Sequence, residues 1–202
     1  MKLKAGITGP LGSGKSTVTK LLVSMGAWAV DVDRAGHYVL ERNKGVQKQL
    51  AETFGSDILK GGHIDRKLLG ERVFAAGRHD QLNKIVHPPM IERVLSLLSK
   101  ADRHALRPLY LIVDAALLFE LGLHHYTDVT VTVDAPGEQL VDRIRKRDNL
   151  SRSQILQRMQ SQWPAEKKIE LSDYLIENIG SIEDLRHKTQ TLHHWLVNRI
   201  AT

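Results

Sequence analysis

Hydrophobic residues along this 202-residue chain follow two rhythms. Five short runs, at residues 3–8, 28–32, 109–113, 129–133 and 174–176, are nearly continuous in apolar side chains and read as buried strands. Between them the apolar positions recur at helical spacing, as in Val18, Leu21, Leu22 and Met25 ahead of the helix-stopping Gly26. Strands that alternate with helices predict an α/β fold, a five-stranded parallel sheet with helices on both faces. From about residue 34 to 107 the spacing, as in Leu68, Leu69, Val73 and Phe74, is helical throughout and predicts an inserted helical region. Inside it, His87-Pro88-Pro89 predicts the end of one helix and the start of another over residues 90–100, because proline fits a first turn but not a helix interior. Ser151 and Gln154 make a capping-box pattern for a helix through Ile155 and Met159 toward Trp163, with Pro164 as its stop. Ser181, Glu183 and Asp184 cap a terminal helix whose Leu185, Leu192, Leu196 and Ile200 should dock on the sheet.

Composition narrows the class. The length suits one domain over residues 1–202, and 42% hydrophobic with 26% charged residues is ordinary globular content. No apolar stretch is long enough to span a bilayer, and the first strand begins too early for a secretory signal. With no cysteine there are no disulfides, so a cytoplasmic protein without membrane partners is expected. The net charge of +6 predicts a polyanionic partner. Arg143, Arg145, Lys146 and Arg147 cluster beside Asp148 with no interleaved aromatic residues for stacking bases, which favours a polyphosphate over nucleic acid. A solvated helix face is the other reading of that cluster.

Chemistry enters with Gly9-Pro10-Leu11-Gly12-Ser13-Gly14-Lys15-Ser16, which has phosphate-loop spacing and stands between the first strand and the first helix. Its glycines let backbone amides turn inward, and the helix N-terminus adds partial positive charge. Lys15 is placed to reach the β- and γ-phosphates, and the Ser16 hydroxyl to bind Mg²⁺. The ATP contacts expected of this segment are Gly9, Leu11, Gly12, Ser13, Gly14, Lys15, Ser16 and Thr17. Asp31 and Asp33 close the second run, where they would point the same way if the strand continued. Asp33 is the candidate base for phosphoryl transfer, and a helix cap is an equal reading of its position. Asp114, ending the third run, is a second candidate for the Mg²⁺ shell. Arg143 and Arg147, four residues apart, share a helix face and suit phosphate oxygens, so the basic elbow reads as a lid. His87 is either a substrate contact or a partly buried structural residue. The adjacent pairs His124-His125 and His193-His194 are assigned no metal.

Beyond the loop, the order and spacing of Asp31-Val32-Asp33, Phe54-Gly55, Asp65-Arg66, Val73-Phe74, His87-Pro88, Leu117-Leu118-Phe119-Glu120, Arg147-Asp148 and Asp173-Tyr174 with Asn178 resemble the dephospho-CoA kinase family. The resemblance runs from about residue 4 through the terminal helix. It implies a P-loop NTPase-type three-layer α/β/α fold, an acceptor-binding insertion at about 34–107 and a lid at about 140–168. The implied reaction moves the γ-phosphoryl group of ATP to the 3′-hydroxyl of the dephospho-CoA ribose, with Asp33 as base and Mg²⁺ as cofactor. His37, Arg66, His87 and Phe119 are then acceptor-side candidates, while Asn178 and Gly180 border the adenine. Two positions depart from the family: Ala116 stands where proline is usual, and Gly36-His37 where many members have alanine and arginine. The competing readings are another phosphate-loop small-molecule kinase, acting on a nucleoside monophosphate or shikimate, and a nucleotide-dependent RNA-binding switch. A monomer or small homo-oligomer is expected.

Overall fold

The computed structural model describes residues 2–75, 77–104, 108–148 and 150–200. They divide into two compact units, one of residues 1–31 with 98–202 and the other of residues 32–97.

The first unit is built on five parallel strands: β1 (Lys4–Thr8), β2 (Trp28–Asp31), β5 (Leu111–Asp114), β6 (Val129–Asp134) and β7 (Tyr174–Glu177). Their spatial order is β2-β5-β1-β6-β7, so all five apolar runs become strands of one sheet. Alternation along the strands separates the two faces. Ala5, Ile7, Ile112, Val129, Val131, Val133 and Ile176 pack with Val18 and Leu22 of α1 (Lys15–Ser24) and Leu185, Leu192 and Leu196 of α9 (Ile182–Asn198). On the opposite face, Gly6 lies so close to Leu118 that a Cβ there would stand 2.7 Å from Leu118 Cδ2. Thr132 on that face donates to the backbone carbonyl of Lys168 in α8 (Ala165–Glu170). Ser181 caps α9 by accepting from the Asp184 amide, as its position predicts. Ile200 is 44% exposed, because α9 ends at Asn198 before the apolar stripe reaches it.

The basic cluster ends α6 (Gly137–Asp148), and α7 (Arg152–Gln160) follows with the Ser151–Gln154 capping box formed in both directions. This helix stops at Gln160, four residues ahead of Pro164. Val141, Ile144 and Ile155 form a separate small core with Leu11, Leu150 and Met159 around it.

The second unit contains α2 (Val32–Arg42), α3 (Lys44–Phe54), a 3-10 turn (Ser56–Ile58), β3 (Leu59–Lys60), β4 (His63–Ile64), α4 (Arg66–Ala75) and most of α5 (His79–Asp102). Three expectations change here. The second strand ends at Asp31 instead of residue 32, because Val32, Ala35, Gly36 and Val39 form one buried helical stripe that claims Val32 for α2. The region is not helical throughout, since Leu59–Ile64 and Lys60–His63 pair as a two-rung antiparallel hairpin. Two-residue strands are too short to show alternation in a sequence. Residue 107, the expected end of the insertion, lies outside the described residues.

The third change concerns His87-Pro88-Pro89, which lies inside one continuous 24-residue helix instead of between two. Val86, Met90, Val94, Leu98 and Ala101 are all buried along a single side of it. That stripe outweighs the missing proline N–H groups. Elsewhere in the unit, helix ends are satisfied by side chains. Asn43 Oδ1 accepts from the Val46 amide, Gln47 Nε2 donates to the Leu40 and Glu41 carbonyls, and Asp65 Oδ1 accepts from the Leu68 amide.

A proline inside an exposed helical turn costs up to about 3 kcal/mol relative to alanine, offset in part by its restriction of the unfolded chain. Pro88→Ala is therefore expected to stabilise the protein by about 2 kcal/mol in urea unfolding. An unchanged or lower stability would mean that the proline ring packs for a net gain.

Candidate active site

Three strand ends come together at the carboxyl edge of the sheet, where β1 leads into the glycine loop. Asp31 of β2 is in register with Asp114 of β5, and Ile7 of β1 with the same Asp114. In open parallel sheets this edge is where ligands bind.

The loop's shape follows from its glycines. Gly14 takes a left-handed φ of 97° as the residue before α1, and no side chain caps that helix. A Cβ at Gly14 would overlap Asn178 Nδ2, and one at Gly9 would overlap the Val133 carbonyl oxygen. Asn178, buried just past β7, donates from Nδ2 to the Ser13 carbonyl at 2.7 Å and so ties the loop to the sheet. The first amides of α1 are left for an anion, which the helix dipole also favours.

Lys15 forms an ion pair with Asp114, and both side chains are largely buried. A cation and an acid thus meet beneath the loop. Arg143 donates from Nη2 to the Asn178 carbonyl at 2.9 Å and to Gln139 Oε1 at 3.0 Å. Its Nη1 is buried with no hydrogen-bond partner among the described residues, as is Ser13 Oγ. Arg147 instead grips its own neighbour Asp148 with a two-point fork, Nε to Oδ1 at 2.7 Å and Nη2 to Oδ2 at 2.8 Å. The two arginines are therefore not joined at one partner. Gly180 is exposed and its Cβ would overlap Asp184, while Thr17 bonds back to the Gly14 carbonyl.

Asp33 occupies the second position of α2, inside the helix and not at its cap. The common strand direction expected for Asp31 and Asp33 is lost because the strand has already ended. A negative charge in a first helical turn is electrostatically favoured. The remaining acceptor-side candidates lie on separate segments of the chain. His37 and Arg66 are exposed on α2 and α4, and His87 is half-buried in α5, where burial lowers its pKa. Phe119 is buried in the first unit with its ring 5.1 Å from that of His124.

Sequence reasoning missed a buried lysine. Lys168 is fully buried, with Nζ 2.6 Å from the Ala116 carbonyl and 2.9 Å from Glu120 Oε1. Burial lowers its pKa, and the Glu120 hydrogen bond and charge oppose that shift. Thr8, the last residue before the loop, donates to the same Ala116 carbonyl at 3.1 Å. These two bonds hold the backbone at Ala116. In the sequence, Lys167-Lys168 looks like any solvated pair; Glu120 within the Leu-Leu-Phe-Glu segment is the one signal that a cation belongs nearby.

Among the described residues, no group of three or more histidine, cysteine or acidic side chains is placed to hold a metal ion. No helix there is long and apolar enough to cross a membrane. The hard oxygens of Ser16 and Asp114 suit Mg²⁺, which characteristically takes one or two protein ligands and completes its shell with phosphate and water.

A five-stranded parallel sheet whose first strand feeds a glycine loop, a lysine and an uncapped helix defines a phosphate-loop nucleotide-binding protein. The model of the dephospho-CoA kinase family matches residues 3–184. A dephospho-CoA kinase of Dehalococcoides mccartyi is 36% identical over 189 residues, which is 93% of this chain and 94% of that one. The dephospho-CoA kinase from Campylobacter jejuni superposes with a TM-score of 0.74 at 27% identity, over 98% of both chains. A Thermus thermophilus protein superposes with a TM-score of 0.80 at 33% identity, over 96% of this chain and 98% of that one. The chain belongs to the dephospho-CoA kinase family.

Removing Lys168 strands Glu120 in a partly buried site, a change that typically costs about 3–5 kcal/mol. Lys168→Met is expected to lose about that much stability in urea unfolding, and the double change with Glu120→Gln to recover part of it. Full stability in the single variant would show that the pair contributes nothing net.

Proposed function

We propose that this chain transfers the γ-phosphoryl group of ATP to the 3′-hydroxyl of the dephospho-CoA ribose, giving ADP and coenzyme A. The observation that carries the reading is the uncapped glycine loop over the Lys15–Asp114 pair, at the sheet's carboxyl edge, in a member of this family.

In this reading, the glycine loop at residues 9–17 holds the ATP phosphates through those of its backbone amides that are not engaged within the protein, together with the N-terminus of α1. Lys15 exchanges its carboxylate partner for β- and γ-oxygens. Ser16 and Asp114 would hold Mg²⁺, which would supply positive charge against the charge that develops on the transferring phosphoryl oxygens. Asp33 accepts the proton of the ribose hydroxyl as its oxygen attacks phosphorus and the bond to the ADP oxygen breaks. Arg143, with a guanidinium donor unengaged among the described residues, faces phosphate oxygens; Arg147 joins it only after releasing Asp148. Asn178 and Gly180 border the adenine. The insertion at about 34–107 binds the acceptor, with His37, Arg66 and His87 as its candidate contacts; Phe119 is a candidate in the sheet unit, and the elbow at about 140–168 closes over ATP. Neither a membrane nor nucleic acid takes part.

A coupled ADP-release assay tests this directly. With MgATP, dephospho-CoA should be phosphorylated far faster than nucleoside monophosphates or shikimate, and absent or equal turnover would reject the assignment. In the same assay Asp33→Asn should lower kcat by about 10²–10⁴-fold with KM for ATP within about twofold, because a transition-state interaction alone is lost. A nearly fully active variant would leave Asp33 with only a helix-end role.

A further inference from the structure

The loop residue Leu11 is held twice by the same part of the chain. Its side chain packs against the small core of Val141, Ile144 and Ile155, which joins α6 to α7. Its backbone N–H donates to Gln162 Oε1 at 3.2 Å, just past the end of α7. The neighbouring Gly12 is pressed against the same helices, since a Cβ there would stand 2.9 Å from Ile144 Cγ1 and 3.1 Å from the Leu140 carbonyl oxygen.

Gln162 does not sit on a loose tether. The next residue, Trp163, donates its backbone N–H to Glu120 Oε1 at 2.8 Å, and the Lys167 ammonium lies 3.4 Å from the Trp163 ring centroid. Lys168 anchors the other end of the segment on Glu120 and Ala116. A glutamine carbonyl aimed at a phosphate-loop amide, on a segment pinned at both ends, is more organised than a surface contact requires.

We infer that Gln162 is a positioning residue for phosphoryl transfer: by accepting from the Leu11 amide it sets the loop's conformation and links the basic elbow to the phosphate cradle. The inference rests on the proposed reaction and adds a residue to it. Gln162→Ala removes the acceptor. Gln162→Glu keeps an acceptor of the same length but sets a negative charge at the rim of the cradle, where it opposes the triphosphate.

Steady-state kinetics and thermal melting separate this role from a structural one. Without nucleotide, the unsubstituted chain and both variants are expected to melt within about 2 °C of one another, because one partly exposed hydrogen bond is involved. KM for MgATP should rise about threefold in Gln162→Ala and about tenfold in Gln162→Glu, while KM for dephospho-CoA changes by less than about twofold. Unchanged KM for ATP in both variants, equal rises for both substrates, or a lowered melting temperature without nucleotide would each overturn the assignment. If the unsubstituted chain fails to phosphorylate dephospho-CoA, the proposed reaction falls and Gln162 is still tested. The rise in melting temperature on adding MgATP should then be largest in the unsubstituted chain, and an equal rise in all three would refute the inference.

Discussion

An α-helix that begins without a side-chain cap leaves its first amides unsatisfied, and α1 begins in this way at the carboxyl edge of the sheet. The rest of the site is arranged around that deficit. Gly14 adopts a left-handed conformation so that the chain turns directly into the helix, and Asn178 occupies the space a side chain at 14 would need. Lys15 brings a full positive charge to the same place and is balanced by Asp114. In the proposed function, a bound polyphosphate supplies the missing hydrogen-bond acceptors and competes for the lysine.

Support for the loop is distributed through the sheet unit. Thr8 and Lys168 share the Ala116 carbonyl, so the start of the loop and the segment after Asp114 are held by one oxygen atom. Glu120 links that oxygen's lysine to the Trp163 amide, and the adjoining Gln162 returns to the loop at Leu11. Burial of an ammonium group is costly by itself, and here the cost is offset by a carboxylate and a carbonyl within hydrogen-bond reach.

Much of this was legible in the amino-acid order. Nearly continuous apolar runs gave five strands because a doubly covered parallel strand needs no polar face, and the loop spacing identified its own context. Local patterns failed where a longer-range one outweighed them. Val32 looks like the end of a strand until its spacing to Ala35, Gly36 and Val39 is read as a helix face. Pro88 and Pro89 look like a helix boundary until the buried stripe from Val86 to Ala101 is followed through them. Lys168 and Gln162 carry no local signal, since their roles depend on Glu120 and Leu11, which lie 48 and 151 positions away in the sequence.

In the proposed function, main-chain geometry at the loop, and not charge alone, binds the triphosphate. Calorimetric titration of MgATP into Gly14→Ala tests it most directly, because the substitution leaves every charged group in place while forcing a Cβ onto Asn178 at a left-handed φ. The expected result is at least about a hundredfold loss of affinity in a protein whose far-ultraviolet circular dichroism is unchanged. ATP affinity equal to that of the unsubstituted chain would contradict it.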